Sequence, residues 1–441
     1  MLKKVGGYDR EEIKGTAIAQ ASFPVPFRSG LEYNPPARGT WNIVHTGMLI
    51  PQSHQIYVCA QGCLRGVVLT AAEMNAMDRM SWVSLREDDM FNGEMEQRIY
   101  DGVVHIVERM DKRPRCIPVY VSCMHLFEGI DFAMIIDELS KKYPDIDFID
   151  CYMIPTMRKS ISPDALMKRQ LYKPVKKLDT DESLAALIGF DRPTDRSSEL
   201  FDIFSAAGKK VWEITGCSSY DDYLGLGSAS LAVYGLPVAS AAGADLERRT
   251  GIKTLYLPLC YDHDEISRNY DALCDALGIK CPDLSDKRTE ADRSLDAARE
   301  IVGDMPIAVD FTAVPRPLGF CLMLAKHGFR VSRVYTDVFS AEEKGSFDEL
   351  KKLLPELEIY PTLDVRMRFA AHESSGEFLA VGQKAAYFCN TDRFVNIIEG
   401  GGMYGFDGIK KMGEALIDAY RHPKDTKATI SLKGLGCESC L

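Results

Sequence analysis

The chain has 441 residues, 46% hydrophobic and 27% charged, with a formal net charge of −11. That length exceeds one core and implies about two to four domains of ordinary globular composition. No apolar run reaches the ~18 residues of a membrane span, and an acidic balance without a long basic run argues against a nucleic-acid partner.

In chain order, residues 1 to about 40 read as an irregular arm, broken by Pro24, Pro26, Pro35 and Pro36. The first ten residues lack a signal-peptide core, so a cytoplasmic protein is expected. Ile56, Tyr57 and Val58 open a short strand that runs into Cys59. Amphipathic spacing predicts a largely helical stretch from Glu73 to Met110. Strand, helix and strand are then predicted over 117–122, 130–142 and 146–154. Residues 156 to 205 are charged and read as a crossing segment.

A second series is predicted as strand 210–215, helix 221–232, strand 236–240, a helix ending at Gly251, strand 252–259 and helix 267–277. Polar residues 281 to 292 mark a further boundary. The third series is helix 293–302, strand 307–311, helix 318–327 stopped by Gly328, strand 331–335 and helix 347–354. Short strands at 378–381, 385–388 and 395–398 and a closing helix from Gly405 to Tyr420 complete it. Short apolar strands alternating with helices imply parallel sheets covered on both faces.

Thirteen cysteines is a high count, and a reducing compartment disfavours disulfides. Most are read as small core residues. Cys59, Cys63 and Cys123 differ, because they fall where predicted strands run out into loops. Strands fix sulfur positions there and loops leave room for iron and sulfide, so the three are candidate ligands of an iron–sulfur cluster. Each iron of a cube prefers tetrahedral sulfur ligation. Three thiolates serve three irons and leave the fourth to a carboxylate, a water or a partner's thiolate. Cys116 lies seven residues before Cys123 on one strand, about 23 Å if fully extended, and is read as core. Cys437 and Cys440 form a C-x-x-C that would suit a metal or a redox dithiol. The sequence Leu224-Gly-Leu-Gly-Ser lacks the third glycine of a dinucleotide fingerprint, and no Walker-type phosphate loop occurs, so any ATP chemistry must come from a partner.

The order of these motifs resembles the nitrogenase component 1 family and its relatives, which include the dark-operative protochlorophyllide reductase and cofactor-assembly scaffolds. The resemblance is carried by Ala60-Gln-Gly-Cys63, by Val119-Tyr-Val-Ser-Cys123 leading to Glu128-Gly-Ile-Asp131, by Gly216-Cys-Ser-Ser-Tyr-Asp-Asp222, and by Gly402-Met-Tyr-Gly-Phe-Asp-Gly408. It covers residues 38 to 421. It implies an α/β fold of three Rossmann-like domains with parallel sheets around a central cleft. The division it suggests is 1–175 (joined by 402–441), 176–290 and 291–401. It also implies a homodimer or a heterodimer with a sister subunit, a cluster at the interface bound through Cys63 and Cys123, and electrons from an ATP-dependent iron–sulfur reductase.

The sequence also departs from the family. The upstream cluster cysteine has no counterpart in Arg38-Gly-Thr-Trp41, and Cys59 is the candidate substitute, which favours a [4Fe–4S] over an eight-iron cluster. The family's metallocofactor cysteine has no counterpart in Ala232–Pro237, and Tyr404 stands at the place of its histidine. A nitrogenase-type molybdenum cofactor and dinitrogen reduction are therefore not expected. Tyr404 and Asp407 remain candidates for facing the cleft. The reading is an oxidoreductase subunit, with a non-catalytic scaffold or carrier for metallocluster assembly as the alternative, and a plain ligand-binding α/β protein as a second rival.

Overall fold

Short, bulky and β-branched runs separated by amphipathic helices produce the fold. The computed structural model describes residues 13–28, 30–33, 35, 37, 42–154, 161–372 and 377–431. Its strands are β1 (Thr16–Ala17), β2 (Gln55–Ala60), β3 (Met80–Leu85), β4 (Cys116–Ser122), β5 (Asp147–Met153), β6 (Asp181–Leu187), β7 (Lys210–Glu213), β8 (Ala229–Tyr234), β9 (Lys253–Tyr256), β10 (Ile307–Asp310), β11 (Val331–Tyr335), β12 (Glu358–Tyr360), β13 (Leu379–Val381) and β14 (Phe394–Val395).

They form three sheets, ordered β3-β2-β4-β5, β7-β6-β8-β9 and β1-β12-β11-β10-β13-β14. All pairings are parallel except that of β1 with β12. The expected α/β architecture of parallel sheets is thus observed.

The first sheet shows how the sequence does this. Every residue of β4 is buried, because a parallel strand is covered on both faces. Ile117, Val119 and Val121 join Ile56 and Val58 of β2 in one core, packed by helices Met95–Glu108 and Phe132–Lys142. Cys116 and Tyr120 join Tyr57 and Cys59 in the other. There the rings of Tyr57 and Tyr120 stack with centroids 4.3 Å apart. The period of two therefore decides that Cys59 points to the inner face. Each large apolar side chain so buried contributes about 1.5–3 kcal/mol.

The inner core of the first sheet runs on into the second through Ala186, Trp212 and Leu246. A further core joins the second and third sheets through Leu187, Val233, Val309 and Leu416. Helix Pro163–Leu171 packs on helices Ile43–Met48 and Ser240–Thr250, and helix Gly405–Arg421 lies along Ser285–Val302. The last two approach closely at Gly413, where an added Cβ would stand 2.8 Å from the Ser294 carbonyl oxygen.

Several predicted elements are corrected. Met80–Leu85 is a strand inside the stretch expected to be helical; it is an edge strand whose serines and half-exposed Trp82 dilute its pattern. The charged segment 156–205 contains helix Pro163–Leu171, the central strand β6 and helix Glu199–Ala206. The helix expected over 221–232 ends at Leu224 and gives way to β8, and the strand expected over 236–240 is a 3-10 turn. Residues 383–389 are helical, not extended, a short apolar run that periodicity alone does not resolve. Among the described residues no helix is long and apolar enough to cross a membrane.

Candidate functional site

Neighbouring parallel strands end at the same edge of a sheet, and whatever follows them meets there. β2 and β4 pair through Ile56–Val119, Tyr57–Tyr120 and Val58–Val121. Beyond their carboxyl ends begin helix Gln61–Glu73, with Cys63 in its first turn, and helix Cys123–Glu128. Cys59 is fully buried one residue before the end of β2, Cys63 is exposed and Cys123 is half-buried. The Cys59 thiol is pushed up to about 12, first by burial and then by the adjacent Cys63 and Cys123 sulfurs. The pairing of β2 with β4 sets Cys59 and Cys123 at neighbouring strand ends, with Cys63 in the first turn of the helix that follows β2. None of the three is in a disulfide.

Local contacts hold the helix start at Cys123. Ser122 precedes its helix, and the Ser122 amide donates to His125 Nδ1 at 3.0 Å. The same Nδ1 lies 3.1 Å from the Ser122 carbonyl oxygen, a contact that needs the opposite tautomer, while Nε2 is buried with no hydrogen-bond partner; burial pushes the His125 pKa down to about 4. Gly129, at φ +71°, ends the helix, and Asp131 caps the next by accepting from the Met134 amide at 3.0 Å. His54 lies at the opposite end of β2, bonded to Ser81 Oγ at 2.8 Å.

A thiol donor set at a sheet edge fits an iron–sulfur cube, whose cysteines sit apart on separate irons. Among the described residues, Cys59, Cys63 and Cys123 included, no group of three His, Cys, Asp or Glu is arranged to hold a metal ion. Leu126 and Phe127 on the Cys123 helix are 51% and 81% exposed, and Phe91 is 78% exposed. Apolar exposure of that size beside a chemical edge suits a covered face. Cys437, Cys440 and Arg38–Trp41 lie outside the described residues.

Where the three sheets meet, the structure reveals a second constellation that sequence reading missed. Lys168 and Asp191 are 2% and 4% exposed and form an ion pair at 2.8 Å. Lys168 also donates to the Gly189 carbonyl at 2.9 Å, and Thr46 Oγ1 donates to Asp191 Oδ2 at 2.9 Å. Burial opposes the ammonium, but Asp191 and Glu399 outweigh it and hold the Lys168 pKa up. Glu399 adopts φ +49° and begins a turn in which Gly400, Gly401 and Gly402 are also left-handed. Strain of this kind clusters at functional sites. Burial pushes the Glu399 carboxyl up to about 7, with Lys168 opposing and Asp191 reinforcing the shift.

The sign of the pH effect follows. The folded state holds the Glu399 proton above its ordinary 4.5, so the stability contribution of this group is greatest below pH 4.5. It falls as pH rises to about 7 and is flat beyond. Glu399→Gln is expected to remove that slope, measurable as urea midpoints across the same window.

Tyr404 lines the small cavity at this junction and Asp407 does not, and the polar groups of both are already partnered. Tyr404 Oη donates to the Leu257 carbonyl at 2.7 Å, and Asp407 Oδ2 accepts from Ser197 Oγ at 2.8 Å. The cap of helix Gly405–Arg421 comes instead from Glu199, which accepts from the amides of Phe406 and Asp407 and from Tyr270 Oη. Gly405, at φ +68°, is required there, since a Cβ would lie 1.9 Å from Tyr270 Oη. The cavity against Tyr404, Asp191 and Glu399 measures about 10 Å³, room for about one water.

A larger cavity, about 490 Å³, opens beside it at the carboxyl ends of β9, β10 and β11, lined by Cys260, His263, Arg316, Lys326, His327 and Glu343. Arg316 bonds Glu265 at 2.6 Å and also pairs with Glu342. Burial pushes Glu343 up to about 7, against the hydrogen bonds that it accepts from the Leu318 and Ser340 amides.

A family model described as nitrogenase component 1 type oxidoreductase matches residues 44–419. A solved structure of nitrogenase Cp1 at pH 6.5 is 15% identical with a TM-score of 0.68, over 90% of this chain and 96% of that one. Another, at pH 5, is 13% identical with a TM-score of 0.56, over 90% and 91%. No curated protein matches the sequence.

Proposed function

The chain belongs to the nitrogenase component 1 type oxidoreductases, and from that premise we propose that it is a cytoplasmic, nitrogenase-like oxidoreductase subunit using an iron–sulfur cluster of the [4Fe–4S] type, held by Cys59, Cys63 and Cys123. The observation that carries this reading is the placement of Cys59, Cys63 and Cys123 at the carboxyl ends of two paired parallel strands. Such a group, when bound, supplies one-electron transfer at low potential; the protein supplies position and electrostatics. Cys63 offers an exposed thiol at a helix start, Cys123 begins the helix that follows β4, and Cys59 brings a ligand from the dry side of the sheet.

The partners proposed are a second copy or a sister subunit, covering Phe91, Leu126 and Phe127, and an ATP-dependent iron–sulfur reductase. The substrate is an unidentified small molecule other than dinitrogen. The 490 Å³ cavity has the size of a small-molecule site, with charged groups of both signs to orient a polar ligand. The alternative, a non-catalytic scaffold or carrier for metallocluster assembly, is favoured by one observation: the three-sheet junction leaves only about 10 Å³ beside Tyr404.

The test is anaerobic purification with iron and sulfide analysis and EPR, followed by turnover assays. About four irons per cluster are expected, with substrate reduction only when ATP and an iron–sulfur reductase are both present. Cluster without turnover selects the scaffold. Protein free of iron under strict anaerobiosis eliminates both readings.

A further inference from the structure

A line of four titratable side chains ends at the wall of the 490 Å³ cavity. His263 opens helix His263–Leu277, and His327 stands at the end of helix Pro317–Lys326. Asp292 and Asp296 lie one turn apart on helix Ser285–Val302. His263 Nδ1 is 3.5 Å from Asp292 Oδ1, and His327 Nε2 is 3.5 Å from the same oxygen. His327 Nδ1 is 3.1 Å from Asp296 Oδ1. The outer end of the line is in water, the Asp296 side chain being 67% exposed; at the inner end the His263 side chain is 13% exposed. His263 Nε2 is buried with no hydrogen-bond partner. Its ring is set edge-on to Phe406, with centroids 5.4 Å apart. Both histidines line the cavity.

We propose that Asp296, His327, Asp292 and His263 form a proton relay from water to a ligand in the 490 Å³ cavity, one that presents an acceptor oxygen or nitrogen to His263 Nε2. The proposal rests on the reductase reading of that cavity, because electrons added without protons leave charge on the substrate. Each ring is entered at one nitrogen and left at the other. A proton taken up at Asp296 passes to His327 Nδ1, and His327 gives its Nε2 proton to Asp292 Oδ1. Asp292 hands that proton to His263 Nδ1, and His263 releases its Nε2 proton to the ligand. One proton enters, one leaves and no electron moves along the line. Both rings change tautomer, and exchange with water resets them.

The surroundings suit His263 to this role. Burial lowers its pKa, Asp292 opposes that, Arg288 adds to it and Asp262 opposes it, so the ring is neutral and able to pass a proton near pH 7. Contacts of 3.5 Å are of the kind that tighten when a ligand binds.

The test follows the His263 Nδ1 proton in the full chain, labelled with ¹⁵N at histidine, by water-saturation transfer NMR in cold neutral buffer. His263→Gln identifies the signal. Asp296→Asn, at the exposed end, and His327→Gln are each expected to slow exchange of that proton with water by about tenfold, at an unchanged circular dichroism spectrum. Asp292→Asn should lower the pH at which His263 titrates. Unchanged exchange in either of the first two variants would mean that His263 takes its protons directly from water, and would overturn the relay, as would an unmoved His263 titration in the third. The measurement needs neither cluster nor substrate. Iron-free protein with slowed exchange in the variants would therefore fail the reductase reading and not the relay, and iron-bearing protein with unchanged exchange would fail the relay alone.

Discussion

Cys63→Ala is expected to yield anaerobically purified protein without iron or acid-labile sulfide, at an unchanged fold. Cys63 is exposed and makes no core contact, and a surface substitution of this kind usually moves stability by less than about 0.5 kcal/mol. Loss of iron with intact circular dichroism therefore reports ligation and not unfolding. Cys123→Ala should behave alike. Cys59 is the more informative position, because it is fully buried among Tyr57, Leu64 and Val67. Cys59→Ser conserves volume, so iron loss there would identify it as the third ligand. Full iron in Cys59→Ser would make Cys59 a packing neighbour and send the search for a ligand to a partner subunit. Retention of iron by Cys63→Ala would end the cluster assignment at this edge.

Lys168→Met is expected to cost roughly 3–5 kcal/mol of unfolding free energy, the range for removing one partner of a buried ion pair. Methionine keeps most of the side chain's volume, so the loss is electrostatic. Asp191 would retain Thr46 Oγ1 at 2.9 Å but no counter-charge, and Glu399 would lose the ammonium that opposes its burial. Adding Asp191→Asn should recover much of the loss, since the uncompensated charge is then gone. Urea unfolding measures both. A cost below about 1 kcal/mol for Lys168→Met would mean that the junction admits water and that its charges are solvated.

What could be read in advance divides along one line. The strands of the first sheet were legible because Tyr57-Val-Cys and Ile117-Pro-Val-Tyr-Val are buried on both faces and carry no competing period. Met80–Leu85 was hidden because an edge strand buries only part of itself, and β6 because its first residues, Asp181 and Glu182, are exposed. The cysteine edge was legible for a local reason: each cysteine lies within three residues of a strand end. The junction was not. Lys168, Asp191 and Glu399 are separated by 23 and 208 positions, and each alone is an ordinary surface residue type. A glutamate directly before three glycines was the signal available, since the turn it opens forces a non-glycine residue into positive φ. Glu199 was passed over for the same reason, the Phe406 and Asp407 amides that it caps lying more than 200 residues away.

The two-residue strand β1 has a consequence out of proportion to its length. By pairing Thr16 and Ala17 with Ile359 and Glu358, it covers the outer rim of the third sheet, whose other edge is the equally short β14. A parallel sheet left with a bare rim offers its amides and carbonyls to any extended chain that comes along. Thr16 and Ala17 therefore cover that rim, and shortening the protein past Ala17 is expected to expose an adhesive border rather than trim a loose end.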